Sequence, residues 1–191
     1  MVKGYPTFAN VSLPTTSLAA GTQTLFKTNV TATGGQIAWN DITFTVASNT
    51  TAGTFGPAAY GWKLFENGVD ITPSAVSNTA SVSDRVATTR VEFVFATERV
   101  ISSGNSVTLE LKTTAGGTLA ANDSITTNIA NTFASTVNTE DSTFQQLAQV
   151  TSLEPSFVWT DQSQASHATT TDDWFTDGLV KGLAESQALT K

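Results

Sequence analysis

The chain has 191 residues, no cysteine, and 16 acidic against 9 basic side chains, which gives a net charge of −7. An acidic surface repels phosphate, so a nucleic-acid partner is disfavoured, and the absence of cysteine excludes disulfides and thiolate metal sites. The chain holds 35 threonines and 18 serines, and these crowd even its longest uncharged stretch, 4–26, so that no membrane span is predicted.

Apolar and polar residues alternate along most of the chain up to about residue 130, which is the pattern of β-strands with one buried face. Turn residues lie between the alternating runs, and Asn67-Gly68 is the strongest hairpin signal among them. Seven or eight short strands separated by turns predict an all-β fold, an antiparallel β-sandwich of the immunoglobulin-like or jelly-roll kind. The predicted inward side chains are Ala9, Val11, Leu13, Phe26, Val30, Ala32, Ile42, Phe44, Val46, Tyr60, Trp62, Leu64, Val91, Phe93, Phe95, Val107, Leu109, Leu111, Ile125 and Ile129.

The composition changes near residue 140, and a strand with a linker precedes the sandwich, so we divide the sequence into three parts. Residues 1–21 form an N-terminal strand and linker, 22–153 form the β-sandwich, and 154–191 form an aromatic, acidic C-terminal segment. An apolar spacing of three and four over 141–150 predicts one or two helical turns just before this segment. We expect the C-terminal segment to be an appendage whose aromatic side chains pack on the sandwich or on a neighbouring copy.

Catalytic patterns are sparse, because the chain has a single histidine, His167, in a loop of small polar residues. A Ser-His-Asp site with Asp161 or Asp172 lacks a nucleophile-elbow motif, so we interpret His167 as a surface residue and the protein as not an enzyme. The pair Asp172-Asp173 with Asp177 has the residue types of a calcium site or of a glycosidase, yet it follows no EF-hand spacing. A helix start or a solvated turn is favoured for the pair. No cofactor is predicted, with structural calcium as the alternative.

Two features of the sequence concern sugars: residues that could bind a carbohydrate and residues that could carry a covalent glycan. Four tryptophans could stack on a carbohydrate, although most lie in apolar, strand-like runs, and burial in the core is the favoured interpretation. They are Trp39, Trp62, Trp159 and Trp174. Four Asn-x-Ser/Thr sequons begin at Asn10, Asn29, Asn49 and Asn122. All four are expected opposite the apolar faces or in turns, so each is a candidate for a covalent glycan.

Three groups of sequence segments together carry one resemblance. They are 25–32 (LFKTNVTA) with 42–44 (ITF); 91–95 (VEFVF) with 101–112 (ISSGNSVTLELK) and 123–125 (DSI); and 155–161 (PSFVWTD) with 172–174 (DDW) and 178–183 (GLVKGL). Together they resemble a β-sandwich domain found in surface proteins of candidate-phylum (Patescibacteria-type) bacteria, whose closing aromatic motif is similar to the last group. The resemblance implies a non-enzymatic role at the cell surface, as a subunit of glycosylated extracellular fibrils. It implies no catalytic residues.

The N-terminal strand indicates how such a subunit would assemble. Residues 7–13 alternate, with Ala9, Val11 and Leu13 on one face, and the linker 14–21 is long enough to let the strand leave its own domain. Donation to the next copy would satisfy the main chain and fill apolar pockets there. The open alternative is that this strand pairs within its own sandwich.

We therefore predict a non-enzymatic structural subunit of an extracellular filament that polymerises head to tail by strand donation. Its predicted partners are copies of itself and glycans. The alternative function is a carbohydrate-binding or adhesive module at the cell surface. No apolar leader opens the sequence, so export requires a leader that was removed before this numbering begins.

Overall fold

The computed structural model of the chain describes residues 2–49, 61–73, 76–78, 86–115, 119–129, 143–144, 155–183 and 186–191. In these ranges the chain forms two antiparallel sheets that pack face to face, so the predicted all-β sandwich is confirmed. The strands are β1 (Tyr5–Asn10), β2 (Gly21–Thr33), β3 (Ile37–Asn49), β4 (Trp62–Glu66), β5 (Val69–Asp70), β6 (Val76–Asn78), β7 (Val86–Ile101), β8 (Ser106–Ala115), β9 (Ser124–Asn128), β10 (Phe157–Thr160), β11 (Trp174–Phe175) and β12 (Gln187–Thr190).

The strand order defines two sheets. Sheet A runs β1-β2-β8-β4-β5, and sheet B runs β11-β10-β3-β7-β6. Strand β3 pairs with β7 along one edge, while β10 and β9 share its other edge, and β12 extends the sheet beyond β9. No helix in the described part of the chain is long and apolar enough to cross a membrane.

The core lies between the two sheets and contains most of the side chains that the alternation predicts to point inward. The strands β2, β3, β4, β7, β8 and β9 each bury their predicted apolar face, with Val107 only partly buried. Leu25 and Phe26 are both buried, because the register of β2 on β8 shifts between Thr24 and Phe26 and a bulge turns two successive side chains inward. Tyr60 lies outside the described residues.

The predicted hairpin at Asn67-Gly68 is confirmed. Asn67 and Gly68 join β4 to β5 with φ angles of 50° and 81°, and two positive values in a two-residue loop are the mark of a type I′ hairpin. The turn between β7 and β8 contains Gly104 at φ 76°, and the amide of Asn105 donates to the carbonyl of Ser102. Both hairpins therefore follow from local turn chemistry.

The C-terminal segment belongs to the sandwich instead of forming an appendage. Strand β10 lies between β3 and β11 in sheet B, β12 pairs with β9, and Phe157 and Trp159 are fully buried in the common core. Of the two packing partners expected for its aromatic side chains, the structure therefore shows the sandwich. All four residues of β10 are buried, so this strand has no polar face and the alternation rule does not detect it. The predicted helical turns over 141–150 lie outside the described residues, apart from Thr143 and Phe144.

Candidate functional site

Strand β1 occupies an edge of sheet A and is the element on which the predicted assembly depends. It pairs antiparallel with β2 of its own chain over its whole length, from Tyr5 opposite Thr33 to Asn10 opposite Thr28. Phe8 is buried, and its ring meets that of Phe157 edge to face, with the ring centres 5.0 Å apart. In the single chain, β1 therefore closes its own sandwich.

The inward face of β1 differs from the predicted one. Pro6 and Phe8 point into the core, and Ala9, which was expected to point inward, is exposed. The strand ends at Asn10. Its inward positions are shifted by one residue from the predicted ones, because the large ring of Phe8 faces the core. Val11 and Leu13 follow the strand as half-buried residues, and Leu13 packs against the core.

The free edge of β1 is held by a short C-terminal stretch, Lys181–Leu183, which we call the clasp. The amide of Phe8 donates to the carbonyl of Lys181 at 2.7 Å, and the amide of Lys181 donates to the carbonyl of Pro6 at 3.3 Å. These bonds place Thr7 and Lys181 opposite one another as a parallel bridge. The clasp is anchored in the core by Leu183, which is buried.

Gly182 allows the clasp to approach β1 closely. Its φ of 84° is left-handed, and a Cβ atom at this position would lie 2.2 Å from the carbonyl oxygen of Phe8. Real side chains do not tolerate that distance, so the contact requires glycine. The clasp therefore meets the main chain of β1, and the ammonium of Lys181 adds a contact 4.6 Å from the ring centre of Tyr5.

The linker between β1 and β2 is attached at both ends. Next to β1, the amide of Val11 donates to the carbonyl of Lys27, and the side chain of Gln187 donates to the carbonyl of Val11. Further along, Leu18 is fully buried and its amide donates to the carbonyl of Thr190 at 2.8 Å. The amide of Thr190 donates in turn to the carbonyl of Thr16 at 2.9 Å, so residues 16–18 are where the N-terminal part of the chain joins the body of the sandwich.

The four sequon asparagines lie in different environments. Asn29 lies on the outer face of sheet A, where its side-chain oxygen accepts a hydrogen bond from Thr108. Asn49 and Asn122 are exposed, at the end of β3 and in the turn before β9, and Thr51 of the third sequon lies outside the described residues. Asn10 is half-buried on the same side of β1 as Phe8. Glycosylation at these positions stays a prediction.

His167 is half-buried and not a surface residue, and its ring contacts two carboxylates other than those of Asp161 and Asp172. Its Nε2 lies 2.8 Å from Glu98 and its Nδ1 lies 2.9 Å from Asp173. Through these two contacts the ring of His167 links its loop to β7, which carries Glu98. Burial raises the pKa of Asp173, but hydrogen bonds from Thr171, from the Gln164 amide and from His167 outweigh burial and leave the pKa lowered.

The cavity beside His167 is small. It has a volume of about 200 Å³, which is below the usual size of a ligand pocket. Its lining residues are Ala96, Thr97, Glu98, His167, Ala168 and Thr169. Glu98 is 69 residues from His167, and no motif in the sequence connects them.

Two further acids of the C-terminal segment, Asp161 and Asp177, bind backbone amides. The carboxylate of Asp161 accepts from the amides of Lys3 and Ser163. Asp177 is fully buried, and its carboxylate accepts from the amides of Ser156 and Phe157 at 2.8–3.1 Å. Within the described residues, no group of three acidic or histidine side chains is arranged to hold a metal ion.

All four tryptophans are buried. Trp39, Trp159 and Trp174 have no exposed surface, and Trp62 is 4% exposed. The core placement that the sequence favours is confirmed. Stacking on a flat sugar face requires an exposed ring, so these side chains do not form a carbohydrate platform.

Comparison with known proteins yields no assignment to a family. No family model matches the chain, and no curated protein matches it. Among solved structures, the chain is similar to AvmM, which catalyzes macrocyclization in alchivemycin A biosynthesis, with 8% identity, a TM-score of 0.39, and coverage of 100% of this chain and 90% of that one. It is also similar to the Corynebacterium diphtheriae major pilin SpaA, with 14% identity, a TM-score of 0.24, and coverage of 83% of this chain and 38% of that one. At these scores, neither likeness bears on the function of this chain.

Proposed function

We propose that this protein is a structural subunit of an extracellular filament, in which each copy donates β1 to the sandwich of the next. The observation that carries the proposal is the position of β1, an edge strand that fills the core with Phe8 and is joined to the body by a linker. The slot that β1 fills beside β2 is called the acceptor groove below. The sequons and the resemblance to surface proteins support a glycosylated, extracellular setting.

Exchange of β1 between copies is energetically inexpensive. A donated β1 makes the same hydrogen bonds and the same Phe8 contacts in a neighbour as it makes at home, so these terms cancel between the closed monomer and the polymer. An empty groove is costly, because the edge of β2 would be unpaired and the space beside Phe157 would be unfilled. The groove is therefore always occupied, and what changes is which copy fills it.

The linker sets how far donation can reach. Leu18 remains buried in its own sandwich, and Thr16 and Leu18 are both hydrogen-bonded to Thr190, so only residues 11–15 are available to span the gap. Five extended residues cover at most roughly 18 Å. The groove of the acceptor must begin within that distance of the donor's Thr16. Because donor and acceptor surfaces differ, the contact is heterologous and builds an open chain unless the rotation closes a ring.

The test uses the full chain, in which the absence of cysteine makes introduced thiols unambiguous. Thr7 and Thr31 are direct partners on the outer face of β1 and β2, within the reach of a disulfide. Under oxidising conditions, donation predicts that the double variant Thr7→Cys/Thr31→Cys forms a covalent ladder of oligomers on a non-reducing gel. Pairing within the chain predicts a monomer band only.

A matched control shares one of the two cysteines. Thr31 is also the partner of Ser106 on β8, inside the body of the sandwich. The variant Thr31→Cys/Ser106→Cys must close within one chain and remain monomeric on the gel. A Thr7→Cys/Thr31→Cys sample that stays monomeric like this control, in preparations where filaments are visible by electron microscopy, would refute donation of β1.

A further inference from the structure

We infer that the clasp is the second edge of the acceptor groove and that Gly182 fits it to the main chain of an incoming β1 from a second copy. The inference rests on the proposed function and adds to it the residues that recognise the donated strand. The acceptor is then a two-sided slot, with β2 antiparallel on one side and the clasp parallel on the other.

The clasp recognises backbone geometry. Its two hydrogen bonds use the Phe8 amide and the Pro6 carbonyl, and the close approach at Gly182 is to the Phe8 carbonyl. Any extended strand presents these groups, so the hydrogen bonds of the clasp favour an extended main chain. Two contacts depend on the side chains of β1: Lys181 of the clasp lies over the ring of Tyr5, and the slot beside Phe157 accepts the ring at position 8.

The residues just before the clasp are held by hydrogen bonds that do not involve β1. The amide of Val180 donates to the carbonyl of Asp177. The carboxylate of Asp177 is itself fixed by the amides of Ser156 and Phe157. Because these anchors remain when β1 leaves, the clasp keeps its shape and forms a prepared edge for the next strand.

The experiment mixes full-length chains that each carry one cysteine and distinguishes hetero- from homodimers by isotopic mass. Chains with Thr7→Cys are oxidised with chains carrying Thr31→Cys, Lys181→Cys or, as a collision control, Ser103→Cys at an exposed turn position. We expect heterodimers with the first two, at yields within about threefold of each other and at least tenfold above the control.

The outcomes separate the two claims. Heterodimers through Thr31→Cys without heterodimers through Lys181→Cys would overturn the clasp as an acceptor edge and leave donation intact. Yields at the collision level for both partners would overturn donation itself, and the clasp proposal with it.

Gly182→Ala provides a second line of evidence, with Gly68→Ala as its matched control. The two glycines have nearly equal φ angles of 84° and 81°, but a Cβ at Gly68 meets nothing within 4 Å. The strain of a left-handed backbone is thus common to both variants, and the clash with β1 is specific to Gly182. Placed in the Thr31→Cys acceptor, Gly182→Ala should lower the heterodimer yield at least fivefold relative to Gly68→Ala, with circular dichroism confirming that both variants fold. Equal yields would contradict the proposal.

Discussion

Strands β1 and β10 bring two phenylalanines into contact in one core, yet they are held in different ways. β10 lies between β3 and β11, and all four of its residues are buried. β1 lies at an edge, exposes Ala9, and meets the clasp through two main-chain hydrogen bonds. Strand β10 is enclosed between two strands of sheet B and is fixed in its own chain, whereas β1 lies at the end of sheet A, next to a linker, and can be replaced by the same strand of another copy.

The difference between β1 and β10 is tested most strongly by truncating the two phenylalanine rings that touch, Phe8 and Phe157. Phe157→Ala should lower the free energy of unfolding by about 4 kcal/mol, because the enclosed strand cannot move to fill the void. Phe8→Ala should cost about 3 kcal/mol, because an edge strand can shift and partly close the space. Urea titration followed by circular dichroism measures both values. A Phe8→Ala cost that exceeds that of Phe157→Ala would show that β1 is as firmly fixed as β10.

The buried carboxylate that holds the start of β10 gives the next largest effect. Asp177→Ala leaves the Ser156 and Phe157 amides without their acceptor, and a loss of about 2–3 kcal/mol in unfolding free energy is expected. Asp172 is exposed in the same segment and serves as the control, with an expected change within about 0.5 kcal/mol for Asp172→Ala. Equal effects of the two substitutions would contradict the role given to Asp177.

A smaller, pH-dependent effect on stability is expected from Asp41, which lies opposite Val158 where β3 pairs with β10. Burial raises the pKa of Asp41 well above its usual value, and the charge and hydrogen bond of Glu92 add to the rise. Asp177 raises this pKa further, while Arg90 lowers it. Since the folded-state pKa exceeds the unfolded one, the stability that protonated Asp41 contributes is complete below the unfolded pKa and is lost as pH rises through the folded pKa.

Asp41→Asn should therefore flatten the fall in stability on the alkaline side. Thermal melts of both proteins, from mildly acidic to mildly alkaline pH, measure this effect. The melting temperature of the variant minus that of the wild type should increase with pH. The expected increase is a few degrees, which corresponds to about 1 kcal/mol of unfolding free energy. A constant difference across that range would show that Asp41 does not titrate as the burial implies.

Most of the sandwich is predictable from alternation, and the exceptions have physical causes. For β1, two apolar phases compete, one through Ala9 and Val11 and one through Phe8, and the larger ring determines the outcome through contacts with Phe157 that the local sequence does not contain. For β10, burial on both faces removes the alternating signal.

The candidate site is less predictable than the fold because its contacts join distant parts of the chain. The sequence marks Gly182 as an interruption of a strand pattern, but its role as a point of close approach depends on Phe8, which lies at the other end of the chain. The pairing of His167 with Glu98 likewise depends on how the loop folds over β7. Only the sheet topology brings such residues together.

The attachment of Leu18 to β12 has a mechanical consequence. A pull on a donated β1 first straightens residues 11–15 and then loads the hydrogen bonds of Thr16 and Leu18 with Thr190. From there the force passes into the ladder between β12 and β9, and so into sheet B. Because a donated β1 is bound to β2 of the acceptor, tension along a filament would enter each sandwich through sheet A and leave it through sheet B, so that the two sheets carry the load in series.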